Sequence, residues 1–89
     1  MRDEKEHLLK NELRVLAIKT RNDMGITQKE MARRLSMAEG SYSDIESGEY
    51  MCGTLTTILL LLMQEDPSFF LEQIKTKFSE QYEKAMQSV

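Results

Sequence analysis

The sequence predicts an all-α protein of five helices with no β-strand. Apolar residues recur every three or four positions along most of the chain, which is the spacing of helices with one buried face. Glycine, or an Asp-Pro pair, marks the places where this spacing stops. A chain of 89 residues has the size of one small domain.

The first predicted helix runs from about residue 3 to residue 22. Its apolar stripe of Leu, Val and Ile is wide, so we expect it to contact more than one neighbouring helix. Gly25 can end this helix, because glycine is common just after a helical C-terminus.

Two short helices are predicted over residues 27–48, with a sharp turn at Leu35-Ser36-Met37 between them. Thr27 can cap the first of the two, and Glu30 can bond back to the Thr27 N–H, which makes a capping box. Gly48 ends the second at a position where a left-handed residue is often needed.

The last two predicted helices are separated by Asp66-Pro67-Ser68, where Pro67 suits a first helical position. The fourth helix, from residue 54 to about residue 64, is apolar on nearly every side. Such a helix must be enclosed, and a second subunit is the expected cover. The fifth helix, from residue 67 to about residue 86, is amphipathic.

Composition excludes several classes of function. The chain is 40% hydrophobic and 30% charged, as is typical of globular proteins. One Cys and one His allow neither a disulfide framework nor a Cys/His metal site. The sequence offers no nucleophilic pair and no glycine-rich phosphate loop. We therefore predict a protein that is not an enzyme and holds no cofactor or metal.

The start of the chain and one apolar run predict where the protein is located. The charged start of the sequence lacks the apolar core of a signal peptide. The run at residues 57–63 is far shorter than the roughly 20 residues that a bilayer span needs. We expect a cytoplasmic protein with no membrane partner.

Residues 21–48 resemble the helix-turn-helix of the Xre/Cro/phage-repressor (lambda repressor-like) family. The residues that carry the resemblance are Arg21, Gly25, Thr27, Gln28, Ala32 and Glu46-Ser47-Gly48. A looser likeness extends to about residue 66. The resemblance implies a helix-turn-helix domain at residues 1–66, with its motif at 27–48. Residues 67–89 are then an additional C-terminal helix for dimerisation.

The resemblance also implies a function and the residues that perform it. The protein would be a bacterial or phage transcriptional regulator, such as a repressor, that binds double-stranded operator DNA as a homodimer. No small-molecule ligand is evident.

Arg21 and Glu46 are the implied structural ion pair. The implied phosphate contacts are Gln28, Lys29, Arg33, Arg34, Lys19 and Tyr50. The implied base contacts are Ala38, Glu39, Gly40, Ser41 and Asp44. The expected dimer interface consists of Ile58, Leu59, Leu62, Phe70, Ile74, Phe78 and Tyr82.

The charge of the motif leaves other interpretations open. The chain has a net charge of −3, and residues 27–50 hold three Lys or Arg against five Asp or Glu. Glu39 and Asp44 can only accept hydrogen bonds, and phosphates repel them. An alternative is an antitoxin-like or heterodimerising interaction module that does not bind DNA. A purely structural oligomer is a third.

Overall fold

The computed structural model describes the backbone of residues 2–87 and the side chains of residues 4–80. Residues 2–87 form five α-helices without a strand, which confirms the predicted all-α class. The helices are α1 (Arg2–Met24), α2 (Gln28–Arg34), α3 (Glu39–Ser47), α4 (Thr54–Leu62) and α5 (Pro67–Gln87). α4 is shorter than expected, because Gln64 already lies in the turn and donates to the Thr20 hydroxyl and the Leu60 carbonyl.

The core lies where α1, α2 and α3 meet, with Leu60 of α4 closing one side. Tyr42 and Met31 are fully buried, and the Tyr42 hydroxyl donates to the Ala17 carbonyl at 3.4 Å. The small side chain of Ala32 is buried in the same cluster. Burial of these large side chains contributes on the order of 2 kcal/mol each.

The turn between α2 and α3 is left-handed at Ser36, whose φ is +58°. The Met37 N–H donates to the Ala32 carbonyl at 3.0 Å, which satisfies one of the last acceptors of α2. At the end of α3, Gly48 has a φ of +86°, as its predicted role requires. The first turn joins α2 to α3, and the second ends α3.

The predicted capping box forms only in part. The Thr27 hydroxyl accepts from the Glu30 N–H at 3.1 Å and so caps α2. The Glu30 carboxylate, however, binds Arg33, whose Nη2 lies 2.6 Å from Glu30 Oε1. The reciprocal bond to Thr27 was therefore a wrong prediction, because a charged partner one turn away outcompetes a backbone N–H.

α5 packs against α1, and this contact changes the predicted dimer interface. Ile74 is buried within the chain, and Phe70 packs against the core. Lys77 forms an ion pair with Glu12 of α1. Ile74 was expected to face a second subunit; this is corrected, because the chain itself covers that side chain. Phe78 is partly buried, and the side chain of Tyr82 lies outside the described residues.

α4 has one buried face and one exposed face. Leu60 is fully buried and Leu59 packs against the core. Leu55, Ile58 and Leu62 are half or more exposed, and their spacing places them on one face. Within residues 2–87, no helix combines the length and the apolarity that a membrane span needs.

Candidate nucleic-acid interface

A buried carboxylate joins α1, α2 and α3 beneath the predicted DNA-binding surface. Arg21 of α1 donates to Glu46 of α3 through Nε at 2.6 Å and through Nη2 at 3.1 Å. Its Nη1 also donates to the Ile26 carbonyl at 3.1 Å. Gln28, the first residue of α2, donates from Nε2 to Glu46 Oε1 at 2.9 Å. Three helices are thus held by one side chain, of which 8% is exposed.

The environment of this network keeps Arg21 and Glu46 charged and the Tyr42 phenol neutral. Burial opposes ionisation of Glu46, but the hydrogen bonds from Arg21 and Gln28 outweigh it and lower the pKa of that carboxyl. The hydrogen bond to Glu46 raises the pKa of Arg21. Burial raises the pKa of the Tyr42 phenol. All three groups therefore keep one fixed charge state near neutral pH, and the network is a rigid support.

Arg14 adds a second bond between α1 and the end of α3. Its Nε donates to the Glu46 backbone carbonyl at 2.8 Å, and its Cδ lies 3.6 Å from the position that a Cβ would take on Gly48. We did not predict this contact from the sequence. A signal was present, however, because Arg14 precedes Arg21 by two helical turns on the same face of α1.

The predicted base-contacting residues run from the N-cap of α3 to its sixth residue, Asp44. Ala38 is the N-cap of this helix, and its side chain makes no capping hydrogen bond. Ala38, Glu39, Gly40 and Ser41 are exposed, and Asp44 is partly exposed. The surface is therefore free to enter a groove, with two carboxylates as its charged groups.

Gln28 is anchored in a way that leaves it a donor. Its amide nitrogen carries two N–H groups, and the bond to Glu46 occupies one of them. The remaining N–H and the carbonyl are available at the start of α2. The bond to Glu46 thus holds the Gln28 side chain in one orientation.

The predicted cationic phosphate contacts are partly neutralised. Glu30 binds Arg33 and also lies 3.8 Å from the Arg34 Nε, so one carboxylate interrupts this basic surface. These bonds lower the pKa of Glu30 and keep it ionised. Lys19, Lys29 and Tyr50 are exposed.

The arrangement of a capped short helix, a left-handed turn and an exposed second helix defines a helix-turn-helix protein. A family model described as helix-turn-helix matches residues 18–62, which is just over half of the chain. The chain belongs to this Xre/lambda repressor-like helix-turn-helix family, whose members are DNA-binding regulators. No curated protein and no solved structure matches the chain significantly.

Proposed function

We propose that this protein is a sequence-specific transcriptional regulator of the Xre/Cro type that binds operator DNA as a homodimer. The observation that carries the proposal is the bond from Gln28 to Glu46, which orients a phosphate donor from below and leaves its second N–H for DNA. Phosphate contacts position a protein on the duplex, and base contacts then supply the sequence preference.

The chemistry of α3 indicates which base edges it reads. Glu39 and Asp44 accept hydrogen bonds, so they match the amino groups that cytosine and adenine present in the major groove. Ser41 can donate or accept. We therefore propose operators in which amino groups face α3.

The homodimer is supported by the exposed face of α4 formed by Leu55, Ile58 and Leu62, of which Leu62 is 72% exposed. Three large apolar side chains on one face of a short helix are more than a small monomer normally leaves in water. A second copy related by a two-fold axis would cover them with the same face. Two α3 helices could then contact half-sites about one DNA turn apart. Phe78 and Tyr82 of α5 stay in the proposed interface as predictions.

The test is selection of binding duplexes from a random pool, followed by affinity measurement at about 50 mM salt, where phosphate attraction is strong. Gln28→Ala should weaken binding about tenfold through loss of one charge-assisted hydrogen bond. Gln73→Ala, which changes an exposed Gln on α5, is the matched control and should leave the affinity unchanged. Equal affinities for Gln28→Ala and wild type would contradict the docking geometry.

A protein-interaction module is the second candidate, and the acidic α3 surface favours it. Glu39 and Glu49 are exposed carboxylates where phosphates would approach. This candidate predicts that no duplex in the pool is retained at micromolar protein and low salt. It also predicts that a basic protein partner is retained and that Glu39→Gln weakens its binding.

A further inference from the structure

A basic cleft lies at the far end of α3, outside the predicted DNA contacts. It has a volume of about 250 Å³ and is lined by His7, Lys10, Asn11, Arg14, Ser47 and Gly48. His7, Lys10 and Arg14 are spaced by three and four residues, so they lie on one face of α1. None of the six lining residues is acidic. Glu6 lines the adjoining depression with Met51, so a carboxylate is near on one side.

Arg14 is held so that it presents donors to this cleft. Its Nε donates to the Glu46 carbonyl, and its side chain lies beside Gly48. Among residues 4–80, its two Nη groups have no hydrogen-bond partner. A fixed guanidinium with free Nη donors is well suited to a phosphate oxygen.

The place of the cleft relates it to the DNA backbone. α3 has nine residues and is therefore about 13 Å long at 1.5 Å per residue. That length is close to the major-groove width of about 12 Å. If α3 crosses the groove with its first turn at the base edges, its last turn reaches the backbone strand that borders the groove.

We propose that this cleft binds a backbone phosphate of the operator through Lys10 and Arg14, and so extends the DNA footprint onto the N-terminal half of α1. The inference rests on the proposed DNA-binding function. It explains how a protein with an acidic recognition helix holds DNA: part of the cationic surface lies on α1, beyond the motif.

The experiment measures the affinity of full-length protein for its selected duplex between about 50 and 200 mM salt. Each phosphate that a cation neutralises contributes about 0.9 to the slope of log affinity against log salt. Lys10→Gln should make that negative slope shallower by about 0.9 and weaken binding at low salt. Lys75→Gln removes an exposed charge from α5 and is the matched control; its slope should equal that of the wild type.

Two results would overturn the inference and are distinguishable. Wild-type binding with an unchanged slope for Lys10→Gln removes the cleft from the interface but leaves the proposed function standing. Failure of the wild type to bind any duplex at low salt removes both.

A second arm separates a backbone phosphate from a free phosphate ion. Amide resonances of Ser47 and Gly48 are followed by NMR while inorganic phosphate replaces chloride at constant ionic strength. We expect weak, non-saturating shifts with inorganic phosphate and saturating shifts with the duplex. Saturation by millimolar inorganic phosphate would identify a free-anion site and overturn the assignment to DNA.

Discussion

At the scale of single residues, Glu46 links three helices through its side chain and its backbone carbonyl. Its carboxylate accepts hydrogen bonds from Arg21 and Gln28, and its backbone carbonyl accepts one from Arg14. A buried charge of this kind is tolerated because its partners satisfy it, and removal of either side leaves the other uncompensated. Glu46 thus stabilises the fold through its ion pair with Arg21, and it orients Gln28 at the candidate nucleic-acid interface.

Glu46→Gln should destabilise the protein by about 3 kcal/mol at neutral pH, because the Arg21 charge is left largely unpaired. The folded-state pKa of Glu46 is lowered, so ionised Glu46 stabilises the fold fully above the unfolded carboxyl pKa of about 4.3. That stabilisation is lost as the pH falls further, through the lowered folded pKa. Urea unfolding against pH measures both effects.

The matched control for this prediction is Glu39→Gln, an exposed carboxylate on the same helix. We expect the stability of this variant to follow the wild type within about 0.5 kcal/mol at each pH. A gap between wild type and Glu46→Gln that persisted unchanged at strongly acidic pH would show that ionisation of Glu46 is not its source.

At the scale of elements, α4 divides its apolar residues between two tasks. Leu60 fills the core beneath α1 and α2, whereas Leu62 is directed to solvent. Leu60 therefore contributes to the packing of the core, whereas Leu62 contributes to association in the dimer that we propose.

Substitutions on the two faces of α4 should have different effects. Leu60→Ala should cost about 2–5 kcal/mol through the cavity that it leaves. Leu62→Asp should keep the helical circular dichroism spectrum but shift the sedimentation mass from dimer to monomer. Leu71→Asp, at an exposed position on α5, is the control and should sediment as the wild type does. A dimeric Leu62→Asp would place the interface elsewhere.

The elements whose ends are set by local chemistry could be predicted from the sequence. The Thr27 hydroxyl accepts a hydrogen bond from a free N–H at the start of α2. Gly48 ends α3 because it has no side chain to oppose a left-handed conformation. The left-handed Ser36 could not be predicted, because serine has no preference for that conformation and the packing of α2 on α3 imposes it. Burial of Ile74 was missed for a similar reason: periodicity gives the apolar face of α5 but not the surface that covers it.

Part of the candidate site could likewise be predicted from the sequence, and part could not. The residues of the helix-turn-helix follow a recognisable spacing, so their exposure on α3 could be expected. The contacts of Arg14 and the capture of Arg33 by Glu30 depend on distances between side chains that spacing does not fix. The basic cleft, which needs α1 to lie beside the end of α3, could be found only from the fold.

At the scale of the whole molecule, the protein has a net charge of −3, and DNA is itself a polyanion. Long-range attraction is therefore weak, and association depends on local basic surfaces more than on the total charge. A regulator of this kind should bind unrelated DNA poorly, since non-specific binding comes almost entirely from phosphate contacts. The acidic α3 surface would then increase the preference for the operator over unrelated DNA, at the cost of a lower affinity for both.

Glu39→Gln should raise the affinity for unrelated duplexes, because it removes a negative charge from the surface that approaches DNA. The same change should reduce the preference at one operator base pair by about 1–3 kcal/mol. Affinities for selected and scrambled duplexes measure both effects, with Glu72→Gln on the exposed face of α5 as the control. A selective loss of operator binding with no gain for scrambled DNA would contradict this account of the acidic surface.

If the protein binds an operator as we propose, the bond between Gln28 and Glu46 restricts how it can acquire a new one. Substitutions at Glu39 and Gly40 touch nothing in the core, so a descendant could exchange them freely and change its target. Glu46 allows no such freedom: any change there disturbs the fold and the orientation of Gln28 together. New sequence preferences should therefore arise at the exposed start of α3, on a support that stays fixed.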